Sequence, residues 1–159
     1  MKPSSTKPEI FVVLNDIRSV HNVGSIFRTA DAAGATKIFL VGLTPTPLDR
    51  FGRSRKDFIK VSLGAEQTVS WQYEPKITPL LRKLKKDGVK IVSVEQDPKS
   101  INYKKLKSFP RTAFIFGNEV DGLSKAVLGA SDVICEIPMA GQKESLNVSV
   151  TAGIILFCC

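Results

Sequence analysis

Five strand-length apolar runs recur along the chain with segments of helical period between them. They are Glu9 to Leu14 (EIFVVL), Lys37 to Val41 (KIFLV), Val89 to Val94 (VKIVSV), Thr112 to Phe116 (TAFIF) and Val133 to Ile137 (VICEI). Runs this continuous suit strands buried on both faces. The pattern therefore predicts an α/β fold, a mostly parallel sheet covered by helices on both faces. In such sheets ligands bind beyond the carboxyl ends of the strands. The segments after Leu14, Val41, Val94, Phe116 and Ile137 are where a site is expected.

The helical segments are read from period and punctuation. Val23 to Ala33 places Ile26, Phe27 and Ala30 on one face, with Gly34 as the stop. Leu80, Leu81 and Leu84 mark a second helix, with Thr78 as N-cap, Pro79 in first position and Gly88 at the end. A short helix is expected over Ser124 to Leu128 and a closing one over Leu146 to Phe157. The stretch from Gly42 to Ser70, with Pro45, Pro47 and a basic cluster, reads as a long loop with short helical turns.

The 159 residues make one domain, spanning 1–159, with 1–8 expected to be flexible. No apolar run reaches the roughly 18 residues of a membrane span. The polar segment Met1 to Pro8 lacks the apolar centre of a secretion signal. A soluble cytoplasmic protein with no membrane partner is expected. The three cysteines, Cys135, Cys158 and Cys159, have neither disulfide nor metal spacing and read as reduced thiols. The net charge of +8 favours a polyanionic partner, although many small proteins are basic without one.

Three loops carry polar groups dense enough for chemistry. The first, Asn15 to Gly24, holds Asn15, Asp16, Arg18, His21 and Asn22, with Arg28 one turn into the following helix. Taken singly, each of these is better read as loop solvation or an Asn cap. His21, the sole histidine, is read as structural or substrate-positioning before catalytic. The second loop, Phe116-Gly-Asn-Glu-Val-Asp-Gly122, has phosphate-loop glycine spacing but no lysine after the second glycine. Glu119 and Asp121 would repel phosphate, so the loop suits a cationic or neutral ligand, or an ordinary Asp-Gly turn. The third runs from Pro138 to Ser145 and into Leu146-Asn-Val-Ser. No dinucleotide fingerprint, nucleophile elbow or metal-ligand cluster is present, so no metal is expected.

Together the three loops resemble the SpoU/TrmH family of RNA ribose 2′-O-methyltransferases, within the SPOUT superfamily. The matching pieces are Asn22-Val-Gly-Ser-Ile-Phe-Arg28-Thr-Ala-Asp31-Ala-Ala-Gly34, Phe116-Gly-Asn-Glu-Val-Asp-Gly122-Leu-Ser, Ile137-Pro-Met-Ala-Gly141 and Ser145-Leu-Asn-Val-Ser149-Val. They occur in the family's order and span nearly the whole chain.

The resemblance implies a deep trefoil knot near the C-terminus, the SPOUT α/β-knot, which no sequence pattern would suggest because knots are exceptions to connection rules. It implies a homodimer with the site near the subunit interface, and S-adenosyl-L-methionine as cofactor. Carried over by position, the cofactor contacts are Val94, Gly117, Asn118, Ile137, Met139 and Leu146. Arg28 takes the central catalytic role, with Asn22, Glu119, Ser145 and Asn147 around the reaction centre. Arginine stays charged and is a poor base. Arg28 is therefore expected to bind a phosphate and to stabilise the developing alkoxide. The RNA partner is a structured RNA, tRNA before rRNA. Arg50, Arg53, Arg55 and Lys56, with Arg18 beside the site, are the expected RNA-binding residues, which would make binding salt-dependent. The run Arg82, Lys83, Lys85, Lys86 reads as a solvated helix face. The last helix is short at Cys159, and a dimer made through it would be correspondingly weaker. Two other readings use the same residues: an RNA-binding module without catalysis, and an SPOUT enzyme acting on a base nitrogen.

Overall fold

The structure, a computed structural model, describes residues 6–158. The flexibility expected of 1–8 falls mostly outside that range, as does Cys159; Thr6 to Pro8 are exposed and without regular structure. Seven strands form one sheet in the order β3-β2-β1-β6-β4-β7-β5. They are β1 (Glu9–Asn15), β2 (Lys37–Val41), β3 (Ser70–Glu74), β4 (Lys90–Val94), β5 (Ile101–Asn102), β6 (Arg111–Phe116) and β7 (Val133–Glu136). Every ladder is parallel. All seven carboxyl ends therefore share one edge.

Alternation along the strands divides the core between two faces. Val12 and Leu14 of β1 and Phe114 and Phe116 of β6 join one cluster, covered by α1 (Val20–Ala33), α2 (Lys56–Ser62), α3 (Ala65–Thr68) and α6 (Val148–Cys158). Phe11 and Val13 of β1 and Ala113 and Ile115 of β6 join the other, covered by α4 (Ile77–Lys86) and α5 (Lys125–Ala130). Phe27 of α1 meets Phe58 of α2 edge to face at 5.1 Å, an arrangement that the ring quadrupoles favour.

Several boundaries differ from those read in the sequence. Helix α1 starts earlier, at Val20, because Ser19 caps it by accepting from the Asn22 amide. Gly34 ends it at φ 74°, as expected. Thr78 is not the cap of α4: the helix begins at Ile77 after Lys76, with no side-chain capping bond, and Pro79 is its third residue. Pro79 is still tolerated there, since the first-turn amides have no partner within the helix. Ser124 does cap α5, accepting from the Val127 amide at 3.2 Å. The long 42–70 stretch holds α2 and α3, and β3 follows where no strand was expected. The closing helix begins at Val148, after the Leu146-Asn147 turn.

Candidate active site

The strand order reverses direction between β1 and β6, which is where open α/β sheets form a ligand crevice. The loops after these neighbouring strands are bonded to each other. Asn118 Nδ2 donates to the Asp16 carbonyl at 2.8 Å, while Asn118 Oδ1 accepts from the amides of Val120 (2.8 Å) and Asp121 (3.0 Å). The Asn118 side chain thus builds the glycine-bounded loop, and its backbone is what remains for a ligand. Gly117 permits the loop to fold tightly: a Cβ there would lie 2.7 Å from the Gly122 carbonyl carbon.

A cleft of about 830 Å³ opens beside this join, at the carboxyl ends of β4, β6 and β7. All six expected cofactor contacts line it: Val94, Gly117, Asn118, Ile137, Met139 and Leu146. So do Asn22, Glu119, Ser145 and Asn147. Three of these form a chain of hydrogen bonds across more than a hundred residues of sequence. Asn147 Nδ2 donates to Asn22 Oδ1 at 3.1 Å, and Asn22 Nδ2 donates to Glu119 Oε1 at 3.2 Å. Asn22 is 8% exposed, so both ends of its amide are satisfied inside the fold. Asn147 Oδ1 also accepts from the Ser149 amide at 2.8 Å, which turns the chain into α6.

The charge of the cleft opposes that of the chain. Its lining holds five carboxylates, Glu95, Glu119, Asp121, Glu136 and Glu144, and no Lys, Arg or His among the described residues. The sequence reading missed Glu95 and Gln96. Glu95 Oε2 accepts from the Leu123 amide at 3.0 Å, and Gln96 Nε2 donates to the Glu144 carbonyl at 2.6 Å, which joins the segment after β4 to the one entering α6. Only their position after an apolar strand could have marked them.

Arg28 is not brought to this cleft. Six residues beyond Asn22 on α1, it lies about 9 Å along the axis and about 120° round the helix. It lines a separate depression with His21, Ser25, Thr29, Lys60, Val61, Leu63 and Phe157, which contains basic groups and no carboxylate. Of the expected RNA-binding residues, Arg18 lies at the cleft's rim, in a hollow it shares with Ser19, Asn22, Glu119 and Asp121. Arg50, Arg53, Arg55 and Lys56 lie apart from it, on the segment after β2. Arg53 pairs with Asp49 and Arg55 with Asp57, so part of their charge is answered locally. The Asp57 carboxyl is held below its ordinary range chiefly by the hydrogen bond from the Arg55 side chain.

The chain is similar to several known proteins. The chain is 32% identical to a 23S rRNA (guanosine-2′-O-)-methyltransferase of Neisseria meningitidis over 95% of its length, which is 58% of that protein. It is 31% identical to a tRNA (guanosine(18)-2′-O)-methyltransferase of Borreliella burgdorferi, covering 91% of this chain and 63% of that one. The structure of an AdoMet-bound rRNA methyltransferase from Sinorhizobium meliloti superposes with a TM-score of 0.85 at 28% identity, over 96% of this chain and 56% of that one. The chain thus spans somewhat more than half the length of the curated relatives it matches. The sequence model of the SpoU rRNA Methylase family matches residues 9–157, and the chain belongs to that family.

Proposed function

We propose that the chain transfers the methyl group of S-adenosylmethionine to a ribose 2′-hydroxyl of structured RNA. The observation that carries this reading is the Asn147–Asn22–Glu119 chain at the mouth of a cleft lined by carboxylates in an otherwise basic protein. S-adenosylmethionine bears a sulfonium and an ammonium against one carboxylate, so its net charge complements the lining. Val94, Ile137, Met139 and Leu146 offer apolar surface to the adenine. When bound, the cofactor supplies an electrophilic methyl group on a sulfur that leaves as a neutral thioether.

The protein's own residues have the harder task, since a ribose hydroxyl does not ionise at neutral pH. Asn22 fixes one Glu119 oxygen and leaves the other to accept a hydrogen bond from the incoming hydroxyl. Asn147 holds Asn22 in the orientation that makes this possible. Ser145 and Arg18, on the rim, are placed to guide the nucleotide. Positioning of this kind supplies up to roughly 7–11 kcal/mol of barrier reduction. Arg28 binds the adjacent phosphate and stabilises the developing alkoxide.

Because Arg28 faces away from the cleft of its own chain, a second copy completes the site in this reading. Helix α6 supports that arrangement. It is apolar almost throughout, yet Val150 and Phe157 are 50% and 63% exposed, and Phe157 borders the Arg28 depression. A face of this kind is suited to burial against another surface. The C-terminal trefoil knot belongs to the same reading. The match to the SpoU rRNA Methylase family over residues 9–157 supports it. The site of action is the cytoplasm.

Labelled methyl transfer to unmodified tRNA and ribosomal RNA tests the reaction. Label recovered in alkali-stable dinucleotides is the expected result. Label in mononucleotides would mean a base nitrogen is the acceptor. Intact cofactor binding without transfer to either RNA would count against ribose methylation, and the distribution between the two RNAs decides the preference for tRNA.

A further inference from the structure

Phe51 stands at the tip of the segment after β2 with 66% of its surface exposed. The tip is built to hold it there. Leu48 and Ser54 pair across the turn, Asp49 donates its amide to the Arg53 carbonyl at 2.7 Å, and Gly52 donates to the Asp49 carbonyl at 3.0 Å. Asp49 Oδ1 accepts from the amides of Phe51 (2.8 Å) and Arg53 (2.9 Å), and Asp49 Oδ2 from Arg53 Nε (3.1 Å). Gly52 takes φ 76°, the left-handed conformation that a side chain resists. So many bonds for one turn leave an aromatic ring in water with no partner in the core.

The ring's neighbours are cationic. The Arg50 guanidinium lies 4.8 Å from its centroid and that of Arg53 5.0 Å. Arg53 is anchored on Asp49, whereas Arg50 has no ion pair among the described residues and is exposed. The root of the segment is tied to the crevice. Asp16 Oδ1 accepts from the Leu43 amide at 2.8 Å, and the buried Thr44 hydroxyl accepts from the Ile17 amide at 3.1 Å and lies 2.9 Å from the Leu14 carbonyl. The segment that carries the tip is therefore rooted against the loop that leads to Arg18 and Asn22, at the same edge of the sheet.

We propose that Phe51 is a stacking platform for an unpaired base of the RNA substrate, with Arg50 and Arg53 on the flanking phosphates. This rests on the reading of RNA as substrate. A flat base fits the ring, and Arg50, the unanchored cation, turns aside to the phosphate as the base enters. Stacking on aromatic rings beside cations is how single-stranded nucleic acid is held without base-specific hydrogen bonds. A protein partner fits less well, because Phe51 and the partly exposed Leu48 within a cationic turn fall far short of the apolar area of a stable interface.

The test is binding of single-stranded oligo(A) and of a fully paired RNA duplex of equal length, alongside methyl transfer to tRNA. Phe51→Ala should weaken oligo(A) binding ~5- to 150-fold, with a similar rise in KM for RNA. Duplex binding, affinity for S-adenosylmethionine and kcat should be unchanged. Its salt slope should match wild type, while Arg50→Ala should flatten the slope by about one phosphate contact. Phe51→Trp should restore binding, and its indole fluorescence should be quenched by oligo(A) above the background of Trp71, the sole native tryptophan. The proposal is overturned if wild type fails to bind oligo(A), if Phe51→Ala binds it normally or loses duplex binding equally, or if the Trp variant is not quenched. Absence of methyl transfer by wild type, with oligo(A) binding and quenching intact, would count against the proposed reaction and leave the platform standing.

Discussion

Asn22 is where three distant parts of the chain meet. Its amide accepts from Asn147 and donates to Glu119, and it is almost fully buried. Replacement by alanine strands two polar partners near the surface of the core. A loss of ~1–3 kcal/mol in unfolding free energy is expected, measured by denaturant titration. The same variant should lose methyl transfer far beyond what its folded fraction explains, since Glu119 would no longer be oriented. That these three residues share one site was readable from the density of polar groups at strand ends and from the family resemblance. Their mutual bonds were not, because hydrogen bonds spanning 97 and 125 residues depend on the sheet order. The direction in which Arg28 points was likewise hidden in the phase of α1, which began three residues earlier than its apolar stripe suggested.

At the scale of elements, caps and turns decide local stability. Ser124→Ala should cost about 1 kcal/mol, since the hydroxyl satisfies the Val127 amide. Thr78→Ala should stay within about 0.5 kcal/mol, because Thr78 caps nothing. Equal losses in a thermal-unfolding comparison would contradict both assignments. The Phe51 turn carries a pH dependence. The Asp49 carboxyl is held below its ordinary range, chiefly by the Arg53 backbone amide; desolvation, next in size, opposes this, and the Phe51 amide, the Arg53 side chain and the Arg55 charge add to the lowering. A carboxyl with a lowered folded value contributes order above the ordinary carboxylate range and loses it as pH falls through the lowered value. The Phe51 and Arg53 amide resonances should therefore shift at a lower pH than an ordinary aspartate would set, and in Asp49→Asn not at all.

Most of the sheet was legible because β1, β2, β4, β6 and β7 are apolar runs that admit few other structures. Strand β3 (SWQYE) was not read as one, although it alternates polar and aromatic residues. It is an edge strand with one neighbour, and it follows directly on α3. Strand β5 is two residues long and has no sequence signal of its own. The α4 cap was misread because a threonine before proline looks like a helix start even where the chain enters the helix two residues sooner.

For the molecule as a whole, the distribution of charge matters more than its total. A net charge of +8 suggests a polyanion, yet the cleft at the carboxyl ends of β4, β6 and β7 is acidic, and the basic groups His21, Arg28 and Lys60 lie in a second hollow reached from the other side of α1. This separation suits a reaction with a cationic donor and a polyanionic acceptor. In the proposed reaction, the two halves of the chemistry then lie on different faces of one chain. The most direct measurement mixes two inactive variants, Arg28→Ala and Asn147→Ala, after joint unfolding and refolding, and assays methyl transfer to RNA. If the cleft of one copy works with Arg28 of another, random pairing should restore about a quarter of wild-type activity, because half the dimers are mixed and each has one intact site. If the mixture stays as inactive as its components while the mixed dimer forms, the cleft and Arg28 do not cooperate between copies, and the proposed site is wrong.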